Sequence, residues 1–257
     1  MNFSDEELQR YARHIVLPHI GGTGQARLKA ASAVIVGAGG IGSAAIPSLA
    51  AAGFGRLTII DDDTVGLSDL QRQLIFRTDQ VGSGKATIAA QFAANLNPHV
   101  QAAVVTERID AAQAERLLDG HSLVLDGSDN FATRLAVSDA SVRLRIPLVS
   151  AAAIQLQGQV ALWRGWEPAE PCYRCFVGDA FDSDDCDTCA ESGVVGALAA
   201  TAGHFAALLA IRHIVGWGEP AGGRLRLLDG MAGEWRTVRV PKDPNCRACG
   251  GGDAANA

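Results

Sequence analysis

The chain has 257 residues, of which 48% are hydrophobic and 19% charged, and its net charge is -6. That length gives room for one large α/β domain or two small ones, with ample material for a core. The acidic balance argues against a nucleic-acid partner, because phosphate contacts need a basic face.

The N-terminal stretch MNFSDEELQRYARH is polar and acidic at once. It lacks the basic-then-apolar pattern of a signal peptide, so the expected location is cytoplasmic. In a reducing compartment, six cysteines read as metal ligands or reactive thiols before disulfides.

From Ala33 the pattern alternates. A strand over Ala33–Val36 leads to a helix over about Gly40–Ala52, then a strand over Leu57–Asp61. A helix over Lys85–Asn95 precedes a strand at Gln101–Val105. A short helix near Ala111–Leu118 precedes a strand at Ser122–Asp126, and a helix over Asn130–Leu144 leads to a strand at Pro147–Ser150. Strands separated by helices at this spacing predict a doubly wound, mostly parallel, Rossmann-like sheet.

After Ser150 the rhythm changes. Gln157–Trp163, Arg224–Asp229 and Trp235–Val240 read as strands without intervening helices, which predicts an antiparallel extension of the same sheet. The Gly/Asp-rich stretch Gly178–Asp187 reads as a loop. SGVVGALAATAGHFAALLAI, Ser192–Ile211, is long enough to suggest a membrane span. Its apolar content is largely Ala and Gly, and His204 sits within it, so a buried core helix over about Gly193–Val215 is expected and no membrane partner. No repeat or linker divides the chain, and residues 1–257 read as one domain.

Gly37, Gly39 and Gly42 satisfy G-x-G-x-x-G directly after a strand and at the start of a helix. Such a turn lets backbone N–H groups approach phosphate oxygens at a helix N-terminus. Asp61 ends the next strand, where an acid can accept ribose hydroxyls. The motif points to a nucleotide without choosing NAD over ATP. VGSGKAT, Val81–Thr87, imitates a Walker A loop, but Asp79 stands where that loop needs glycine and Ala86 where it needs Ser or Thr.

The choice turns on charge. Arg72 and Lys85 are the plausible cations near the glycine turn, and a triphosphate attacked at its α-phosphate needs more cationic support than a dinucleotide. Asp126 and Asp129, in LDGSDN, follow another strand and so belong at the carboxyl edge of the sheet, where a carboxylate can hold Mg²⁺. The plainer reading makes Arg72 and Lys85 solvated charges and Asp129 a helix N-cap.

RYARHIVLP, GAGGIG, DDDTVGLSDLQRQ, LDGSDN, CYRC and CRACGG occur in this order along nearly the whole chain. Together they resemble the ThiF/MoeB/HesA family, related to ubiquitin-activating enzymes. The resemblance implies MgATP-dependent adenylation of the C-terminal glycine carboxylate of a ubiquitin-like sulfur carrier, ThiS or MoaD, with loss of pyrophosphate. It implies that Gly40 and Asp61 contact adenosine, that Arg72 and Lys85 hold phosphates, that Asp129 binds Mg²⁺ and that Asn130 lies beside the nucleotide. It also implies a homodimer in which Arg13 reaches the other subunit's ATP site. The family usually reads Ser-Asn-Leu-x-Arg-Gln, whereas here Ser68 is followed by Asp69. A carboxylate there repels a triphosphate unless Mg²⁺ or Arg72 compensates.

Cys172/Cys175, Cys186/Cys189 and Cys246/Cys249 are three C-x-x-C pairs, and a closed zinc site needs two of them. Loop closure favours the first pair with the second. The glycine after Cys249 and the acids around the middle pair favour the first with the last, and the resemblance implies that pairing, with structural zinc. It also links Cys189 to sulfur transfer, while Cys186 has no implied counterpart. The chain ends shortly after Cys249, so the expectation is a separate sulfur donor. An NAD-dependent oxidoreductase and a non-catalytic scaffold are the alternatives.

Overall fold

The computed structural model describes residues 3–179 and 192–250. Three short helices open it: α1 (Asp5–Arg10), α2 (Ala12–Ile15) and α3 (Gly21–Ala30). Ser4 caps α1 in a capping box, its hydroxyl accepting from the Glu7 N–H while the Glu7 carboxylate accepts from the Ser4 N–H, so two orphan donors of the first turn are satisfied reciprocally.

The wound unit follows as β1 (Ser32–Val36), α4 (Gly42–Ala52), β2 (Arg56–Ile60), α5 (Lys85–Leu96), β3 (Gln101–Val105), α6 (Ala114–Leu118), β4 (Leu123–Asp126), α7 (Phe131–Leu144) and β5 (Leu148–Ile154). The remainder is β6 (Gln157–Trp163), α8 (Tyr173–Val177), α9 (Gly196–Val215), β7 (Arg224–Asp229) and β8 (Glu234–Arg239). The eight described strands form one sheet, in the order β3-β2-β1-β4-β5-β6-β7-β8. From β3 to β5 neighbouring strands are parallel, and from β5 to β8 they are antiparallel. The expected architecture is therefore present.

The chain winds outward from β1 to β3, then returns to place β4 on the other side of β1. This reversal of strand order opens a crevice at the carboxyl ends of β1 and β4. Each central strand is buried on both faces. Ala33 and Ile35 join the core beneath α4, α5 and α9, while Val34 and Val36 join the one beneath α6 and α7. That two-sided burial is why β1 reads as a continuous apolar run instead of an alternating one.

Several boundaries differ from the expected ones for identifiable reasons. β5 runs on past Ser150 to Ile154, because its pairing with β6 continues to Ile154↔Gln157 after its pairing with β4 has ended at Ser150. The helix expected near Ala111 starts at Ala114, since the Asp110 carboxylate accepts the N–H groups of Ala112 and Gln113 in a turn first. Asn130, and not Asp129, caps α7, accepting from the Thr133 N–H at 2.9 Å.

The alanine-rich segment forms α9, the one described helix long and apolar enough to cross a membrane. It starts at Gly196 because Val194 is bridged to Gln155 before the helix begins. It packs on α4, β5 and β6, with half of its apolar window buried. The approach to α4 is close: a Cβ on Gly203 would lie 2.4 Å from the Ile41 carbonyl oxygen. Glycine at that point lets the two helices meet.

Candidate nucleotide cleft and cysteine cluster

The crevice holds a cleft of about 540 Å³. Its floor is the turn between β1 and α4. Gly37 has φ +86°, and a Cβ on Gly42 would stand 2.0 Å from the Gly37 carbonyl oxygen, so the backbone can fold back on itself only without a side chain there. Gly37, Gly39 and Gly40 line the cleft, whereas Gly42 lies behind them as the first residue of α4. Its role is to close the turn.

Asp61, at the end of β2, also lines the cleft. Its carboxylate accepts from the Ala38 N–H at 2.7 Å and the Asp63 N–H at 2.9 Å, tying the second strand's exit to the glycine turn. Burial raises this carboxyl above its ordinary range, against the pull of those two N–H bonds.

Asp69 sits on a 3-10 turn with Leu67 and Ser68, and Arg72 and Gln73 follow it by three and four positions. Asp69 Oδ1 accepts from Arg72 Nη2 at 3.0 Å and from Gln73 Nε2 at 3.1 Å. Oδ2 accepts from the Gly66 N–H at 2.9 Å and lies 3.2 Å from Lys85 Nζ. Lys85, at the first position of α5, also reaches Asp63 at 3.1 Å. Burial works to lower the Lys85 amine, but its bond to Asp63 and the charges of Asp63, Asp69 and Asp61 outweigh it and hold the amine above its ordinary value. Burial also pushes the Asp69 carboxyl up, and the Gly66 N–H with Lys85 and Arg72 reverses this, leaving it below the usual range. The expected repulsion from this acid is thus neutralised within the protein.

On the opposite wall the β4–α7 loop supplies Ser128, Asp129 and Asn130. Asp129 is exposed at the mouth, while Asp126 is buried and accepts the Ser128 N–H at 2.9 Å. Of the two acids considered for a cation, Asp126 builds the loop and Asp129 faces the cleft. Arg13 is exposed on α2 and is not part of the cleft wall.

Among the cleft residues that escaped the sequence reading are Gln73, Ser128, Arg134 and a further cation, Arg108. Gln73 Oε1 and Ser128 Oγ are buried without a hydrogen-bond partner, as is fitting for polar atoms that await a ligand. Arg134 donates to the carbonyls of Ser128 and Ala151, holding the loop against β5. A signal existed for Gln73, because positions three and four after Asp69 share one face of a helical turn.

At the far side, Cys172, Cys175, Cys246 and Cys249 bring their sulfurs within 4.8 Å of one another. Neighbouring Sγ–Sγ distances are 3.9, 3.6 and 3.3 Å. A tetrahedral zinc with Zn–S bonds of about 2.3 Å needs sulfurs about 3.8 Å apart, so the donor set fits that ion. Four thiolates leave no open coordination position. Hydrogen bonds from Cys172 and Cys249 hold the Cys175 thiol far below its ordinary range, and the Asp243 N–H adds to this at 3.4 Å. Cys186 and Cys189 lie outside the described residues.

A parallel sheet with a glycine- and cation-lined crevice at its switch point, continued into a four-cysteine cluster, defines a Rossmann-like α/β protein of the nucleotide-site type. The chain belongs to the ThiF family, which matches residues 11–248. It is 40% identical over 255 residues to the sulfur carrier protein adenylyltransferase of Thermus thermophilus, covering 97% of this chain and 93% of the relative. It is 38% identical over 249 residues to the molybdopterin-synthase adenylyltransferase of Salmonella typhimurium, covering 96% and 98%. Among solved structures, Escherichia coli MccB shares the fold with a TM-score of 0.83 at 22% identity, over 98% of this chain and 74% of that one. Neither the oxidoreductase nor the scaffold alternative finds support in these likenesses.

Proposed function

We propose that this protein uses ATP to adenylate the C-terminal glycine carboxylate of a ubiquitin-like sulfur carrier, of the ThiS or MoaD type, in thiamine or molybdopterin cofactor synthesis. The observation that carries the reading is the pair Arg72 and Lys85, set across the cleft from Asp129 and beside a glycine turn. Relatives at 40% and 38% identity bear adenylyltransferase names, and that agrees with it.

In this reading Gly37, Gly39, Gly40 and Asp61 hold the nucleoside end, with Ser68 and Asn130 beside it. Arg72 and Lys85 hold phosphates. Asp129 holds Mg²⁺, which supplies charge neutralisation on the triphosphate. The carrier's carboxylate is already ionised and needs no general base. What the protein contributes is in-line positioning and countercharge for the displaced pyrophosphate.

The zinc is structural, held by Cys172, Cys175, Cys246 and Cys249. The protein works as a cytoplasmic homodimer in which Arg13 reaches the partner's cleft, and a separate donor supplies sulfur. Residues 1–257 form one adenylation domain, with the nucleotide-binding half up to about 150 and the carrier-binding, zinc-bearing half after it. Cys189 takes part in sulfur transfer.

The deciding experiment mixes the chain with ATP, Mg²⁺ and candidate carriers ending in Gly-Gly, and seeks a carrier acyl-adenylate by intact mass. Its formation supports the proposal. No adenylate with any carrier, together with thermal stabilisation by NAD and none by MgATP, would overturn it.

A further inference from the structure

We propose that Asp69 is an internal counter-anion, a latch that holds Arg72 and Lys85 in the empty cleft, yields them to a polyphosphate and takes them back when pyrophosphate leaves. The inference rests on the triphosphate reading of the cleft and concerns how that cleft unloads.

Every acceptor direction of this carboxylate is used. One oxygen receives Arg72 and Gln73, and the other receives the Gly66 N–H and faces Lys85 at 3.2 Å. The residue is buried, with 8% of its surface exposed, so its charge acts on both cations with little solvent screening. With Asp63, which accepts from Lys85 at 3.1 Å, Asp69 balances Arg72 and Lys85 before a ligand arrives, and an incoming phosphate must compete for them.

That competition lowers affinity for substrate and product alike. It also returns the cations to one fixed geometry after each turnover, so they need not be reordered. An asparagine here cannot serve all four donors. Its amide group turns two hydrogens toward one of the two donor pairs, so either Arg72 keeps only the Ser68 carbonyl or Lys85 keeps only Asp63, while the negative charge disappears.

The test measures inorganic pyrophosphate binding to the full-length, nucleotide-free protein by calorimetry, with and without Mg²⁺, for wild type, Asp69→Asn and Asp69→Ala. The latch predicts binding about tenfold tighter in both variants. Unchanged or weaker binding overturns it, and weakening confined to the Mg²⁺ arm assigns Asp69 to the metal instead.

A second readout needs no ligand. The chain's lysines are Lys29, Lys85 and Lys242, so acylation of each can be followed by peptide mass. Asp69→Asn should speed acylation at Lys85 alone. Equal rates in variant and wild type overturn the latch. Wild-type acyl-adenylate formation is scored separately: failure there with tighter pyrophosphate binding in the variants leaves the latch standing, while success there with unmoved pyrophosphate binding removes it.

Discussion

The cleft and the cysteine cluster are both built from charged or ionisable groups drawn from distant parts of the chain, yet they are finished to different degrees. In the cysteine cluster each sulfur faces the other sulfurs, and a four-ligand ion would close the set. In the cleft, Gln73 Oε1 and Ser128 Oγ are buried without partners and Asp129 stands exposed at the mouth. A closed set of donors points to stability, and an open one to a visiting ligand. Substitution should separate these two roles.

The largest effect belongs to the cluster. With the proposed zinc site, Cys246→Ser should abolish zinc binding and lower the melting temperature by about 10 °C or more, because metal binding would there be part of folding. Zinc analysis with a thermal scan checks this, and a variant that keeps its melting temperature without zinc would make the two regions alike.

Next comes the cleft. Lys85→Ala should cut acyl-adenylate formation by about 10²–10³, read by quenched single-turnover assays, with a much smaller change in melting temperature than Cys246→Ser. Gly42→Ala tests whether the turn's backbone matters as much as its cations. A Cβ 2.0 Å from the Gly37 carbonyl cannot be accommodated without moving the turn, and the expected loss is about 1–3 kcal/mol in urea unfolding, with weaker nucleotide binding.

The smallest effect is a control outside both regions. Glu7 is bonded by Lys29 at 2.7 Å, and this with the Ser4 N–H holds its carboxyl below the ordinary range despite burial. A lowered acid pKa stabilises the fold above the unfolded value, about 4.3, and that contribution is lost as pH falls through the folded value. Glu7→Gln should therefore cost about 1–2 kcal/mol at pH 7, and the difference from wild type should shrink toward pH 3.

The parallel sheet was legible because each βα unit carries its own punctuation: the apolar run of Ala33–Val36, the glycine turn, the acid at the next strand's end. The four-cysteine grouping was legible from spacing and local glycine, although loop closure favoured a different pairing. What escaped was set by contacts between segments far apart in sequence. β5 extends to Ile154 because a strand that comes later pairs with it. Arg134 belongs to the cleft because α7 aims it at the carbonyls of Ser128 and Ala151, which no local pattern announces. For Asp69 the sequence shows the charge and offers Arg72 as its compensating cation, but not Gln73, Lys85 and the Gly66 N–H that gather around it as well.

The contact between α9 and the glycine turn bears on how the protein is made. Ala199 and Gly203 back Gly40 and Ile41, and Arg27 Nη1 reaches the last carbonyl of α9, Val215, at 2.6 Å. The glycine turn thus receives its support from residues translated well after it. A fragment ending near 150 would carry the glycine motif without the surface that backs it.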